Sequence, residues 1–178
     1  MDEELIRQLA KCCGVPLVLP DIPDREEREK VLLTTVRKEF EKTGNVARCF
    51  IIRVMHPAPA LLRIELNLTK ELTMHAPQLG YAFAKGFRAK QLYHVSEMWW
   101  AVDTGDEVPP SERVDRHEGV MVGSEDSTRD PPMRMWSAMI TRDATGKGTL
   151  GEWSDFKDIG GRLTYMLPPE AYEAKGRA

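Results

Sequence analysis

Residues 91–102 read Gln-Leu-Tyr-His-Val-Ser-Glu-Met-Trp-Trp-Ala-Val, the longest strand-forming run in the chain. Its large apolar side chains fall at odd and even positions alike, so a strand built from it is buried on both faces and belongs inside a sheet. The rest of the chain must then supply neighbouring strands and covering layers. Upstream, RCFIIRVM (Arg48–Met55) predicts a mostly buried strand, HPAPA (His56–Ala60) a turn, and LLRIELNL (Leu61–Leu68) a second strand. In the latter Leu62, Ile64, Leu66 and Leu68 share one face while Arg63, Glu65 and Asn67 share the other, so the two runs form a hairpin. Downstream, GVMVGSED (Gly119–Asp126), MRMWSAMITRD (Met133–Asp143) and TLGEW (Thr149–Trp153) predict further strands, the last two joined by an ATGKG turn. GGRLTYMLPP predicts a short final strand ended by two prolines.

The helical signals lie between and before these runs. Asp2 can cap a short amphipathic helix with Leu5, Ile6, Leu9 and Cys13 on one stripe and Gly14 as its stop. VPLVLPDIP (Val15–Pro23) carries three prolines and predicts an extended connector. Asp24 and Glu27 then form a capping box, Leu32, Val36 and Phe40 recur every fourth residue, and Gly44 ends the second helix. The charge blocks between those positions read as its solvated face. A third helix starts around Pro77, with Leu79, Phe83 and Phe87 on one stripe and Gly80, Ala82 and Gly86 allowing close approach to a sheet. The order α-α-β-β-α-β-β-β-β defines an α+β fold, a mainly antiparallel sheet with helices packed on one face. Residues 1–44 are expected as an N-terminal helical arm, 45–168 as the core domain and 169–178 as a loose tail.

At 178 residues and 20.2 kDa, with 42% hydrophobic and 30% charged residues, the composition is that of an ordinary globular domain and excludes wholesale disorder. No apolar run approaches the roughly 18 residues of a membrane span. The opening MDEEL is acidic where a signal peptide would be basic, so a cytoplasmic protein is expected. The net charge of −3 is unevenly spread, with segment sums of −2 over residues 1–44, +4 over 45–102 and −5 over 103–178. A nucleic-acid domain would be basic overall with a clustered patch, so such a partner is not expected. Cys12, Cys13 and Cys49 are odd in number and lack a second CxxC; they read as reduced thiols packed as small hydrophobes.

His94 and Glu97 match an HxxE ligand pattern, but on a strand side chains three apart point to opposite faces, so no metal is expected there. The run Asp115-Arg116-His117-Glu118 sets acid, base and cation next to the tryptophan-bearing strand, a workable set for general acid–base chemistry. Its competing reading is a solvated loop in which Arg116 clamps a neighbouring carboxylate, with Glu97, Glu112, Asp115 and Glu118 in reach. GxSxG, P-loop and GxGxxG motifs are absent, and RIELN around Glu65 lacks the lysine of a PD…ExK nuclease. Neither a cofactor nor a metal is implied. Trp99 and Trp100 must face opposite ways, so one can escape the core; Trp136 shares a side with Arg134 and Arg142, opposite Met133, Met135 and Met139. Aromatic, methionine and arginine side chains together are what protein interfaces show at their centres. The methionines read first as an adaptable core.

SEMWW (Ser96–Trp100), PPSERVDRHEGVMVGSED (Pro109–Asp126), ITRDATGKGTLGEW (Ile140–Trp153) and GGRLTYMLP (Gly160–Pro168) resemble a widespread group of uncharacterised bacterial and bacteriophage proteins. Members carry a similar SEAW-like strand, a PSExPDRxE-like loop, an apolar strand ending in an acidic pair, and a late hairpin. Ser96, Glu97, Trp99, Pro110, Ser111, Glu112, Asp115, Arg116 and Glu118 match that pattern; Val114 stands where proline is expected, and Trp100 is an addition. The resemblance covers roughly residues 90–168. It implies one compact domain and an accessory or mobile-element origin, and no reaction. Two functions follow as expectations. The first is a non-enzymatic binding or accessory protein that self-associates, as a homo-oligomer or with a protein partner, through the sheet's second face; Trp99, Trp100, Trp136 and Arg134 are its contact residues. The alternative is a small hydrolase or other acid–base enzyme centred on Glu97, Asp115, Arg116 and His117.

Overall fold

Helix α2 (Arg25–Thr43) shows most directly how local signals build the core. The Asp24 side chain accepts from the Glu27 N–H at 2.8 Å, and Gly44 closes the helix with φ +74°, a left-handed conformation that suits a residue without a Cβ. Leu32, Val36 and Phe40 lie on its inner stripe and are buried, each contributing about 1.5–3 kcal/mol.

The computed structural model describes residues 3–101, 112–156 and 166–172. Before α2 come α1 (Glu3–Lys11) and β1 (Leu17–Pro20); after it come β2 (Cys49–Val54), β3 (Ala60–Glu65), α3 (Lys70–Thr73) and α4 (Ala76–Gly86). The remaining strands are β4 (Gln91–Trp100), β5 (His117–Asp126), β6 (Met133–Arg142), β7 (Gly148–Leu150) and β8 (Ser154–Phe156). All eight strands join one antiparallel sheet in the order β1-β3-β2-β4-β5-β6-β7, with β8 also pairing β6. The class is α+β, and β4 lies between β2 and β5, the interior position its two apolar faces require.

Several expectations change. The helices do not share one face. Leu32, Val36 and Phe40 of α2 pack with Cys49, Ile51, Tyr93, Val95, Val120 and Val122. Leu9 of α1 and Ala76, Leu79 and Ala84 of α4 pack on the other face with Phe50, Ile52, Ile64 and Leu92. Strand alternation sends odd and even residues of β2 to these two layers, and both sides are apolar, so both need a cover. The connector 15–23 contributes β1, which pairs with β3 from Leu17↔Arg63 to Pro20↔Ala60. Pro20 is tolerated because β1 is an edge strand. Residues 17–43 are therefore part of the core structure rather than an arm. At the other end Pro169–Ala171 form a 3-10 turn, and the Tyr172 hydroxyl donates to the buried Glu125, so the tail is tied down this far.

Other differences are local. Phe87 is exposed, since α4 ends one residue before it. Strand β7 is followed by the unforeseen β8, and His117 and Glu118 open β5 instead of belonging to a loop. The charge blocks of α2 are not all solvated, because Arg25, Arg28 and Glu29 are buried. Arg25 bonds Glu29 and lies 3.3 Å from Asp126, while Glu29 also holds Arg134 at 3.1 Å. The expected cap Asp2, residues 103–111 of the expected loop 103–118 and residues 160–165 of the expected last strand lie outside the described residues.

Candidate functional site

The register of β4, β5 and β6 collects methionines on the sheet face opposite α2. Met98 stands across from Gly119, which stands across from Met139. The next row is Ser96, Met121 and Ser137, and the row after it His94, Gly123 and Met135, with Met133 across from Glu125. Five of the chain's nine methionines thus share one side of three adjacent strands. Met135 is buried, Met98, Met121 and Met133 are half-buried, and Met139 is 47% exposed. None belongs to either helix-backed core, and the C-terminal segment reaches this face at Glu125, which accepts from the Met166 and Leu167 N–H groups and the Tyr172 hydroxyl.

Two glycines shape the relief of this surface. A Cβ on Gly119 would lie 2.4 Å from the Trp100 ring and 2.6 Å from the Ala138 carbonyl oxygen, so Trp100 lies down on Gly119 only because that position has no side chain. Among the described residues, a Cβ at Gly123 would meet only the His94 carbonyl oxygen, at 4.0 Å.

Trp99 turns to the α2 side, as opposite-facing neighbours must. It is 44% exposed and lines an open cleft of about 460 Å³ with Arg113, Arg116, Glu118, Met139 and Arg142. The Arg116 guanidinium lies over its ring, 4.8 Å from the centroid. Arg113 donates twice to Asp115, at 2.9 Å each, and holds that carboxyl below its usual range. Arg142 grips Glu118 in the same forked way, at 2.8 and 2.5 Å. His117 is exposed, with its ring 6.0 Å from Trp100.

The acid–base set does not converge. Glu97 sits on the α2 side and accepts the Val46 N–H at 2.7 Å, tying the segment after α2 to β4. Asp115 is taken by Arg113. His94 is on the other face from Glu97, as a strand dictates, with its ring 5.2 Å from Phe50 and its Nε2 cut off from solvent without a partner. Burial, aided by the nearby Arg48 charge, pushes its pKa down to about 4, so the ring is neutral at pH 7. Among the described residues no three His, Cys, Asp or Glu side chains gather in a metal-binding cluster.

Trp136 and Arg134, expected at the contact surface, stand on the α2 side. Trp136 is 5% exposed within the core, and Arg134 lies over it at 4.8 Å while bonding Asp155 at 2.9 Å. Both border an open groove of about 520 Å³ along α2, with Trp153, Lys30 and Arg37. Sequence reading missed Met98, Met121 and Gly119 as members of one surface. Their alternation was visible, but only cross-strand register aligns them. No protein family, no curated protein and no solved structure matches this chain.

Proposed function

We propose that the protein is a non-enzymatic binding or accessory protein that self-associates through the methionine-paved half of its second sheet face. The observation that carries this reading is the alignment of Met98, Met121, Met133, Met135 and Met139 on three adjacent strands outside both helix-backed cores. Methionine is flexible and polarisable, so such a face adapts to an opposing surface. A twofold contact would set this face against the same face of a second copy. The resemblance read in residues 90–168 to bacterial and bacteriophage proteins favours an accessory or mobile-element origin. No described helix is long and apolar enough to cross a membrane.

Sedimentation equilibrium between 1 and 100 µM tests the reading. The wild type is expected to approach twice its 20.2 kDa chain mass, and Met139→Lys to remain at one chain mass with an unchanged melting temperature. A wild type that stays monomeric across this range rules out self-association. The alternative, an acid–base enzyme centred on Glu97, Asp115, Arg116 and His117, draws support from the open cleft beside Arg116. It is weakened by the commitment of Glu97 to Val46 and of Asp115 to Arg113. Trp99→Ala with Arg116→Ala would abolish turnover of a screened ester or phosphoester under that alternative.

A further inference from the structure

On the side of the sheet away from the methionine face, a slot of about 70 Å³ lies between α2 and strands β1 to β4. Leu32 and Val36 form its roof, and Leu19, Ile51, Leu61 and Val95 its floor. The exposed Val31 and Thr35 of α2 and the half-buried Leu19 and Ile22 also line it, so its mouth opens between α2 and the β1 edge. The slot lies where α2 sets aliphatic Leu32 and Val36, not aromatic groups, over the aliphatic floor; Phe40, one turn further on, fills its own space against Gly148. Cys49 adds a thiol that burial pushes up to about 12, so it stays neutral and behaves as a small apolar group.

One polar feature breaks the apolar lining. Arg63 donates to Glu39 at 2.9 Å and pairs with Glu65 at 3.2 Å, but its buried Nε has no hydrogen-bond partner. A buried donor left unpaired is costly, and an oxygen placed in the slot would satisfy it. Two carboxylates already face this one guanidinium, so the added acceptor must be neutral. At the far end the Tyr93 hydroxyl accepts from both Arg28 and Gln91, and Arg28 also donates to the Gln91 side chain.

The geometry points to a binding site for a small neutral aliphatic molecule bearing one carbonyl oxygen, its hydrocarbon body in the slot and its oxygen on Arg63 Nε. The slot is about half the 150 Å³ that holds benzene in an apolar cavity, which sets the enclosed part at about three heavy atoms, with the rest of a longer chain leaving by the mouth. The site is independent of self-association, since it lies on the other face.

Three probes of one size separate the contributions: 2-pentanone, pentane, which lacks the oxygen, and butanoate, which replaces a methyl by a charged oxygen. In amide-resolved NMR titrations 2-pentanone is expected to shift Val36, Cys49, Ile51 and Val95 and to bind roughly tenfold more tightly than pentane, the worth of one hydrogen bond. Butanoate is expected to bind more weakly than 2-pentanone. Val36→Leu, which fills the slot, should keep or raise the melting temperature and abolish these shifts; Cys49→Val fills the floor if Val36→Leu does not fold. No shift at these residues up to the ketone's solubility limit overturns the site. Equal affinity for pentane and 2-pentanone, or tighter binding of butanoate, overturns the assignment of Arg63 as a donor to a neutral oxygen. An unaltered affinity in the filled variant places the ligand elsewhere and overturns the proposal.

Discussion

The guanidinium of Arg116 lies over the indole of Trp99, with 4.8 Å between its carbon and the ring centroid. The carboxylates on either side of it in the sequence are gripped by other arginines, Asp115 by Arg113 and Glu118 by Arg142. The contact covers part of an exposed aromatic ring at the end of β4, an arrangement worth about 0.5–1 kcal/mol at a surface. Loss of this ring contact in Arg116→Ala is expected to account for about 1–4 °C of the fall in melting temperature in a chain of this size. It should also change the tryptophan emission. A fall well beyond that range would mark Arg116 as a carboxylate clamp.

Arg28 is a buried clamp. It is 3% exposed and donates to the Tyr93 hydroxyl at 3.1 Å, to the Gln91 side chain at 2.6 Å and to the carbonyls of Ile22 and Pro23. One side chain thus joins α2, the segment before it and the central strand. Arg28→Ala leaves buried acceptors unpaired and is expected to cost about 3 kcal/mol or more in urea denaturation. Arg28→Lys should recover little of it, since an ammonium cannot reproduce the fork.

Glu125 holds the C-terminal segment. It is 1% exposed and accepts the backbone N–H groups of Met166 at 2.7 Å and Leu167 at 3.1 Å, together with the Tyr172 hydroxyl. Glu125→Ala removes three acceptor contacts at once. Hydrogen exchange of the Met166 and Leu167 amides should then accelerate at least tenfold, while α2 amides keep their protection. Uniform loss across the whole chain would show that the segment unfolds only with the rest.

Gly119 determines where Trp100 rests. A methyl group there meets both the indole and a backbone oxygen, and the backbone cannot yield as a side-chain tip can. Gly119→Ala is expected to cost about 1–3 kcal/mol by overpacking. It should also displace the Trp100 ring, read as a red-shifted emission maximum. An unchanged spectrum with unchanged stability would contradict the close approach.

His94 makes stability depend on pH. Its folded pKa of about 4 lies below the ordinary value of 6.5, so the unfolded chain binds a proton that the folded chain refuses between those limits. The stabilisation from this group is complete above pH 6.5 and is lost as the pH falls towards 4, by about 3 kcal/mol in all. Denaturation midpoints at pH 7, 5.5 and 4.5 should fall in that order. His94→Phe, which keeps an aromatic partner for Phe50, should flatten the slope.

Much of this architecture was legible in the residues themselves. The capping box at Asp24, the four-residue recurrence of Leu32, Val36 and Phe40, and the stop at Gly44 describe α2 correctly because each acts within a few residues of itself. The hairpin of β2 and β3 and the central place of β4 follow from alternation and two-sided apolarity, which are local as well. The opposite facing of Trp99 and Trp100 needed only strand geometry.

What the chain could not state alone depends on partners distant in sequence. Arg25, Arg28 and Glu29 look like a solvated helix face until Tyr93, Gln91, Asp126 and Arg134 arrive from 63 to 105 residues away to satisfy them. The prolines at 16 and 20 argue against a strand, yet an edge position beside β3 has no use for the missing donors. The methionines of β4, β5 and β6 become one surface only through cross-strand register. The slot under α2, with its unpaired Arg63 Nε, exists only because a helix and a sheet that are each well formed do not fill the space between them. Local pattern decides which elements form; the packing of remote side chains decides which charges are buried, which faces stay open and where a ligand can enter.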